Sequence, residues 1–506
     1  MRVVTAGEMA RLEQKTMEKL GLTGLLLMEN AGSGIVKILE AEFGDLRDKR
    51  VHILAGGGNN GGDGLAVARH LLAKKARPKV YLLGDKEKLT PENRTNLSVL
   101  EKLNGDITTI TEQGLTKLKF SLGLADVVVD AVLGTGLKGP LRGNLAVVAD
   151  LVNEVNRPVV AVDVPTGVNS TTGAVEHTAI RADLTIGLGA LKTGCLLYPG
   201  REYVGTYEVV DLGVPLEGVE EIERFVLDET CLDRLPKRPP WGHKGTFGHT
   251  LVVAGSQSMA GAAALCGKAV LRGGGGLVTL AVPQSIVSRF PPDEMIVTPI
   301  LDTEDGTFGA RSIPFLQELC AGKTTLVIGP GLSQHSEMQG VVEELLQAWS
   351  GPAVIDADGL NVLNLTFFEK IPLKQRRKWV LTPHPGEMGR LLGKSPRFIN
   401  ETRLETAWEF GEKWGVTVVL KGAPTVVSGD GKLYINSTGN HGMGTGGMGD
   451  VLTGLIGALL SQGVSSVEAG AVGAYIHGLA GDYGAQQGKR GLVATDCLQA
   501  LQRILQ

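Results

Sequence analysis

The sequence predicts two α/β domains in tandem, each a largely parallel sheet wrapped by helices on both faces. Three observations predict it. At 506 residues the chain is too long for one ordinary core. Short apolar runs alternate with helical patterns in two successive series, as in β-α-β units. Each series carries a glycine loop of its own construction, Gly56 through Gly64 in the first and Gly444 through Asp450 in the second.

In the first series the apolar runs 51–55, 79–83, 127–132, 159–164 and 184–188 read as strands, with helical patterns over 66–73 and 145–155 between them. The second series has strand-like runs at 249–254, 277–282, 325–329, 353–356, 379–382 and 417–421. Residues 211–240 separate the two. They carry Glu217, Glu220, Glu221, Glu223 and Arg224, and end in Leu235-Pro236-Lys237-Arg238-Pro239-Pro240, which neither a helix nor a central strand accommodates. The expected division is a domain over 1–215, a connection over 216–225 and a second domain over 226–506.

Composition narrows the function. The 71 glycines follow no collagen-like period and cluster after apolar runs, as in the loops of an α/β protein. A net charge of −4 gives no electrostatic reason to expect nucleic acid or an anionic membrane as partner. Cys195, Cys231, Cys266, Cys320 and Cys497 are scattered with no C-x-x-C pair, which argues against a disulfide framework or zinc site and suits a reducing compartment. The N-terminus lacks the apolar core of a signal peptide, and the most membrane-like stretch, Val451 to Gly478, is interrupted by Gln462 and Glu468. A cytoplasmic protein is expected.

Loops without Cβ atoms let main-chain N–H groups approach phosphate, and a helix N-terminus behind them adds its positive end. Two such loops suggest two nucleotide-handling sites and a bifunctional enzyme. Gly56, Gly58 and Gly61 fit G-x-G-x-x-G, and Asp85 ends the next strand-like run, as in a Rossmann dehydrogenase. Asn59, Asn60 and Asp63 argue against that reading, because they crowd polar side chains into a loop that should present bare backbone; their oxygens could hold a cation or a hydroxylated ligand. Downstream, Asp130 opens the turn through Gly134, Thr135, Gly136, Leu137, Lys138, Gly139 and Pro140, and Asp163-Val164-Pro165-Thr166-Gly167 repeats the plan of strand, acid and rigid turn. Each acid alone could be a turn former; three polar strand ends together suggest one crevice.

In the second series Asp450 follows Gly444-Thr445-Gly446-Gly447-Met448-Gly449. A carboxylate beside an anion loop binds phosphate poorly and is well placed to take a proton from an attacking hydroxyl; the alternative is a helix N-cap. No Gly-x-x-x-x-Gly-Lys-[Ser/Thr] motif is present, which argues against P-loop chemistry. Lys421-Gly422-Ala423-Pro424-Thr425 could meet a nucleotide phosphate, His384 is held between Pro383 and Pro385, and Asp356 and Asp358 could bind magnesium or substrate or simply shape a turn. Gly329-Pro330-Gly331 is a further strand-end turn, and Gly255 through Ala262 a weaker signal.

On these motifs residues 1–215 resemble the YjeF N-terminal family, the NAD(P)HX epimerase, with a Rossmann-like three-layer α/β/α fold. The resemblance implies that Asn59, Asn60, Gly61, Gly62 and Asp63, with Gly134 through Pro140, bind the hydrated dinucleotide. It also implies that Asn60, Asp130 and Thr166 hold a potassium ion and that Asp163 lies at the reacting ring. Residues 226–506 resemble the ribokinase-like superfamily and within it the YjeF C-terminal family, the ADP- or ATP-dependent NAD(P)HX dehydratase. That resemblance assigns Lys421, Gly422, Ala423, Pro424, Thr425, Gly446, Gly447 and Gly449 to the adenine nucleotide with its Mg2+. It assigns Ala262, Gly331, His384 and Asp450 to the hydrate. Met448 stands where many members carry Ser. A homo-oligomer is implied by the family alone. Three rival readings stay open: a vitamin or sugar kinase, an NAD-linked oxidoreductase in the first half, and a noncatalytic dinucleotide-sensing first half.

Overall fold

The computed structural model describes residues 1–111, 114–137, 139–215, 223–291 and 293–505. It divides into two units, Met1–Glu223 and Arg224–Gln506.

In the first unit, seven strands form one sheet among the described residues: β1 (Arg50–Gly56), β2 (Arg77–Leu83), β3 (Asp106–Thr109), β4 (Val127–Ala131), β5 (Val159–Val162), β6 (Leu184–Leu188) and β7 (Thr206–Val210). Their order is β3-β2-β1-β4-β5-β6-β7 and every pairing is parallel. A parallel sheet must bury both faces, so its central strands are nearly continuous in Val, Ile, Leu and Ala. Helix Gly24–Phe43 packs Leu27, Ala31, Ile35 and Leu39 into the core on one side, and Val148 and Val152 of helix Asn144–Glu154 join another apolar cluster. The order reverses between β1 and β4, which opens a crevice at the carboxyl ends of these strands.

The second unit repeats the principle with β8 (His249–Val253), β9 (Leu277–Pro283), β10 (Ile296–Ile300), β11 (Thr325–Ile328), β12 (Ala353–Ile355), β13 (Trp379–Leu381), β14 (Thr417–Leu420), β15 (Thr425–Gly429) and β16 (Lys432–Asn436). The order is β10-β9-β8-β11-β12-β13-β14-β15-β16, with β15 antiparallel to both neighbours and the other pairs parallel. Helices Met448–Ser461 and Ser466–Gly484 are almost wholly buried; they are the stretch whose sequence came nearest to a membrane span. Among the described residues no single helix is long and apolar enough to cross a membrane.

Several expectations need correction. The polar glycine loop is mostly helix: helix Asn59–Ala73 starts seven residues before the expected 66, so Asn59 through Asp63 are its first turns. Glycine content hid this, because glycine disfavours helix interiors. Asp85 does not end a strand; it lies past Leu83 and caps a short 3₁₀ turn, accepting from the Glu87 N–H at 3.0 Å. Residues 216–222 of the expected connection lie outside the described residues, but Glu223–Val226 is a strand and Glu229–Arg234 a 3₁₀ turn. The short strands β3, β7, β10, β15 and β16 carried too few consecutive apolar residues to be expected.

Candidate functional site

In the first unit the loops beyond β1, β4 and β5 meet. Gly61 and Gly56 are so close that a Cβ on Gly61 would lie 1.9 Å from the Gly56 carbonyl oxygen. Only glycine lets the helix start there. Asn93 ties the loop from outside, its amide donating to the carbonyls of Gly56 and Gly58 at 3.0 and 2.9 Å. A Cβ on Gly134 would stand 3.0 Å from Asn60 Oδ1 and 3.2 Å from Asp163 Oδ2. These three expected site residues therefore share one spot. The Asn60 Nδ2 group there is buried and finds no hydrogen-bond partner among the described residues.

Asp130, at the end of β4, is fully buried. It accepts from the Thr166 N–H at 2.8 Å, the Thr166 hydroxyl at 2.7 Å and the Val132 N–H at 3.2 Å. All three partners are neutral. Burial pushes its carboxyl up to about 6, and the bonds from Thr166 and Val132 oppose that rise. The Thr166 hydroxyl also accepts from the Leu133 N–H at 3.0 Å, which anchors the start of the Gly134 turn. Asp130 and Thr166 are thus brought together as expected, among oxygen donors that suit a hard cation. Thr135 and Gly136 lie in the turn, a Cβ on Gly136 would meet nothing within 4 Å, and Gly139 adopts φ +75° before Pro140. Lys138 lies outside the described residues.

Asp163 adopts φ +68°, an uncommon conformation for a residue with a side chain. It is held by Lys192, whose ammonium donates to Asp163 Oδ1 at 2.5 Å. Asp63, in helix Asn59–Ala73, is buried, and its carboxyl is pushed well up, first by burial and then by the charges of Asp163 and Glu13. Lys192 and Glu13 were not singled out from sequence. Lys192 follows an ordinary strand-like run, and Glu13 occupies one face of a charged helix, Ala6–Leu20; neither carries a motif.

The second unit gathers its residues at the ends of β11 to β14 and at the start of helix Met448–Ser461. Asp450 is in the first turn of that helix but does not cap it; Gly447, at φ +89°, is the N-cap residue. Burial, reinforced by Asp356, raises the Asp450 carboxyl to about 7, and Lys421 opposes the rise. Lys421 donates to Asp356 Oδ1 at 2.7 Å and lies 3.8 Å from Glu387 Oε2. The Thr453 hydroxyl donates to the other Asp356 oxygen at 2.6 Å. Asp356 is therefore the anchor of Lys421 and is itself braced by Thr453. Asp358 accepts from the Ser333 N–H at 2.9 Å. A Cβ on Gly449 would approach Lys421 Nζ to 3.4 Å, so the lysine lies against the glycine loop.

His384 is the N-cap of helix Pro385–Leu392. Its Nδ1 accepts from the Gly386 and Glu387 N–H groups at 3.0 and 3.2 Å, and its own N–H donates to Glu387 at 2.7 Å. The Nε2 of this half-exposed ring lies 3.4 Å from Glu387 Oε1. The 421–425 turn is braced by buried Arg403, which donates to the carbonyls of Lys421 and Pro424 at 3.1 and 3.0 Å. Burial pulls the Arg403 guanidinium down to about 10. A Cβ on Gly422 would strike that guanidinium at 2.5 Å; the Ala423–Pro424 bond is cis, and Thr425 closes the turn onto the Gly422 carbonyl at 3.0 Å. Gly331 and Ala262 meet, 3.1 Å separating the Ala262 Cβ from one on Gly331. Leu265, from the same helix as Ala262, closes on Gly447, while a Cβ on Gly446 would meet nothing within 4 Å. Glu387, Thr453 and Arg403 were missed as functional residues. Glu387 lay three residues after His384, the capping-box spacing that could have marked it.

Residues 24–194 match a family described as YjeF-related protein N-terminus, and residues 250–503 one described as NAD(P)H-hydrate dehydratase. A protein of Moorella thermoacetica named bifunctional NAD(P)H-hydrate repair enzyme is 40% identical over 514 residues, spanning 100% of this chain and 97% of that relative. One of the same name from Thermofilum pendens is 37% identical over 511 residues, spanning 100% and 96%. A solved Bacillus subtilis structure, an ADP/ATP-dependent NAD(P)H-hydrate dehydratase co-crystallized with ATP/Mg2+, is 27% identical with a TM-score of 0.47, covering 56% of this chain and 98% of that one.

Proposed function

This chain belongs to the family of bifunctional NAD(P)H-hydrate repair enzymes, and we propose that its two units divide the repair between them. The first unit interconverts the R and S epimers of hydrated NADH or NADPH at C6. The second dehydrates the S epimer back to NAD(P)H with a phosphoryl group from ADP or ATP. The observation that carries the second role is Asp450, a carboxyl held near neutrality beside Lys421 at the mouth of a glycine loop.

The C6 hydroxyl is a poor leaving group. Asp450 takes its proton as the oxygen attacks the terminal phosphoryl group, while Lys421 and the N–H groups of Gly446, Gly447 and Gly449 offset the charge on the transferring oxygens. Phosphate then leaves C6, driven by the ring nitrogen, and C5 loses a proton to restore the double bond. Ala262, Gly331 and His384 line the hydrate side; Gly422 through Thr425 support the nucleotide. Met448 offers only its N–H to the phosphate. Magnesium, carried on the nucleotide phosphates, would withdraw charge from them, with Asp356 and Asp358 the carboxylates acting on Asp450 there.

In the first unit the ring nitrogen expels the C6 hydroxyl to give an iminium, and water returns to either face. Asp163 relays protons: solvent supplies the one that the departing oxygen takes, and Asp163 accepts one from the incoming water and returns it to solvent. Asn59 through Asp63 and the 134–140 turn hold the dinucleotide. Potassium, held by Asn60, Asp130 and Thr166, would offset the buried Asp130 charge and fix the turns that Thr166 joins. A homo-oligomer and a cytoplasmic setting complete the reading.

Mixed-epimer NADHX with ADP or ATP tests it, through the returning absorbance of reduced nicotinamide. Full recovery that requires nucleotide and releases phosphate is expected. Recovery that stops at the S fraction would remove the epimerase half. A stable phosphorylated product would indicate a small-molecule kinase instead.

A further inference from the structure

We propose that Lys192 is the positioning residue of the first unit, clamping Asp163 so that only its Oδ2 oxygen faces the reacting ring. The proposal rests on the epimerase reading of that unit.

Lys192 is 1% exposed. Its three ammonium protons have three acceptors: Asp163 Oδ1 at 2.5 Å, the Leu188 carbonyl at 2.6 Å and the Ala190 carbonyl at 3.0 Å. Such a saturated ammonium is a poor proton donor to anything else. Asp163 Oδ1 is likewise filled, since the Leu188 N–H donates to it at 3.2 Å. The backbone is pinned too, with the Asp163 N–H donating to the Ile186 carbonyl at 2.7 Å. Oδ2 is the oxygen left over, and it is the one directed at Gly134 beside Asn60 Oδ1.

The division matters for the chemistry. Epimerisation breaks the C6–O bond as the ring nitrogen lone pair forms C6=N+, with a proton passing to the departing oxygen. The reverse happens when water adds to the other face, and the proton returns. One oxygen must serve both faces from a fixed place, because a misplacement of about 1 Å can cost ~10²-fold in rate. A free carboxylate would rotate; one with Oδ1 tied to Lys192 and the Leu188 N–H cannot. An ammonium this deeply buried also needs the carboxylate, since unpaired burial of either charge is strongly unfavourable.

The other groups facing Asp163 fit this role. Asp63, from helix Asn59–Ala73, and Glu13, from helix Ala6–Leu20, are both pushed up, first by burial, with Asp163 adding to the rise and Lys192 opposing it. Cys195 is raised to about 12, again first by burial and then by Asp163. Lys192 is thus a cation set among three carboxyl groups and a thiol, with Arg201 also opposing the rise at Cys195.

The test uses the full chain with Lys192→Met and Lys192→Arg, purified R-NADHX and S-NADHX, and ADP or ATP. Repair of the S epimer by the same molecules reports that they are folded. For Lys192→Met, kcat for R-to-S conversion should fall ~10²-fold with KM changed by less than about threefold. Lys192→Arg keeps the charge but not the three-point fit; its kcat should fall less than that of Lys192→Met, again with KM nearly unchanged. Unchanged kcat in Lys192→Met would overturn the proposal, as would a rise in KM large enough to account for the whole loss in kcat/KM. If the parent chain itself left the R epimer unrepaired, the epimerase reading would fail instead.

Discussion

Burial lifts the Asp450 carboxyl to about 7, with Asp356 and Asp358 adding to the rise and Lys421 opposing it. A base acts only when deprotonated, so kcat/KM for S-NADHX should rise with pH through about 7 and then level. Asp450→Asn should lower turnover by ~10²- to 10⁴-fold and leave nucleotide affinity nearly unchanged by calorimetry; near-normal turnover would remove Asp450 from the mechanism. Lys421→Met takes away the charge opposing the rise, so the acid limb should move up in pH and the nucleotide KM should increase. Asp130 supplies a stability test. Its folded-state carboxyl lies at about 6, against an ordinary value of 3.8, because of burial. Raising an acid in the fold makes the folded state bind the extra proton, so stability falls as pH rises from about 4 to about 6, by roughly 3 kcal/mol without a compensating cation. Potassium, compared with choline, should therefore raise the melting temperature more above pH 6 than below pH 5, and Asp130→Asn should erase the difference. The acids themselves were legible in the sequence as strand ends. Their partners Lys192 and Thr453 were not, because each acts from another part of the chain.

The glycine turns, as elements, separate packing from ligand approach. Gly61 lies against the Gly56 carbonyl, so Gly61→Ala should destabilise the first unit by about 3 kcal/mol and abolish epimerisation while S-NADHX repair continues. Gly58 has open space around its Cβ position and an ordinary φ of −90°. Gly58→Ala should therefore melt with the parent, within about 0.5 kcal/mol. Thermal unfolding of the pair checks both; equal destabilisation would contradict the close approach at Gly56. Glycine spacing announced a loop before a helix, yet helix Asn59–Ala73 already includes Asn59 through Gly64. Local propensity argues against helix there, and packing of Gly62 and Gly64 on Met28 and Ala131 overrides it.

For the whole molecule, the expectation is complementation. Asp163→Ala should repair S-NADHX and strand the R epimer, while Asp450→Asn should epimerise without restoring NADH. Mixing the two variants in one tube should recover both epimers, because the hydrate diffuses between molecules. Recovery halted at the S fraction in that mixture would mean that the epimerase in Asp450→Asn is also lost. The two α/β units were evident from alternation of apolar runs and helical patterns. Strand order was not, since parallel neighbours such as β1 and β4 pair residues 76 apart in the chain, as Val51 with Val127.

By itself the sequence determined the two α/β units, the acids that end their strands and the glycines that must lie nearby, because periodicity and backbone permissiveness are local properties. Tertiary structure alone decided which charges meet. Lys192 reaches Asp163 across 29 residues, Lys421 reaches Asp356 across 65, and Thr453 reaches the same carboxylate across 97. The strength of a buried charge depends on what surrounds it in space, and chain spacing carries none of that.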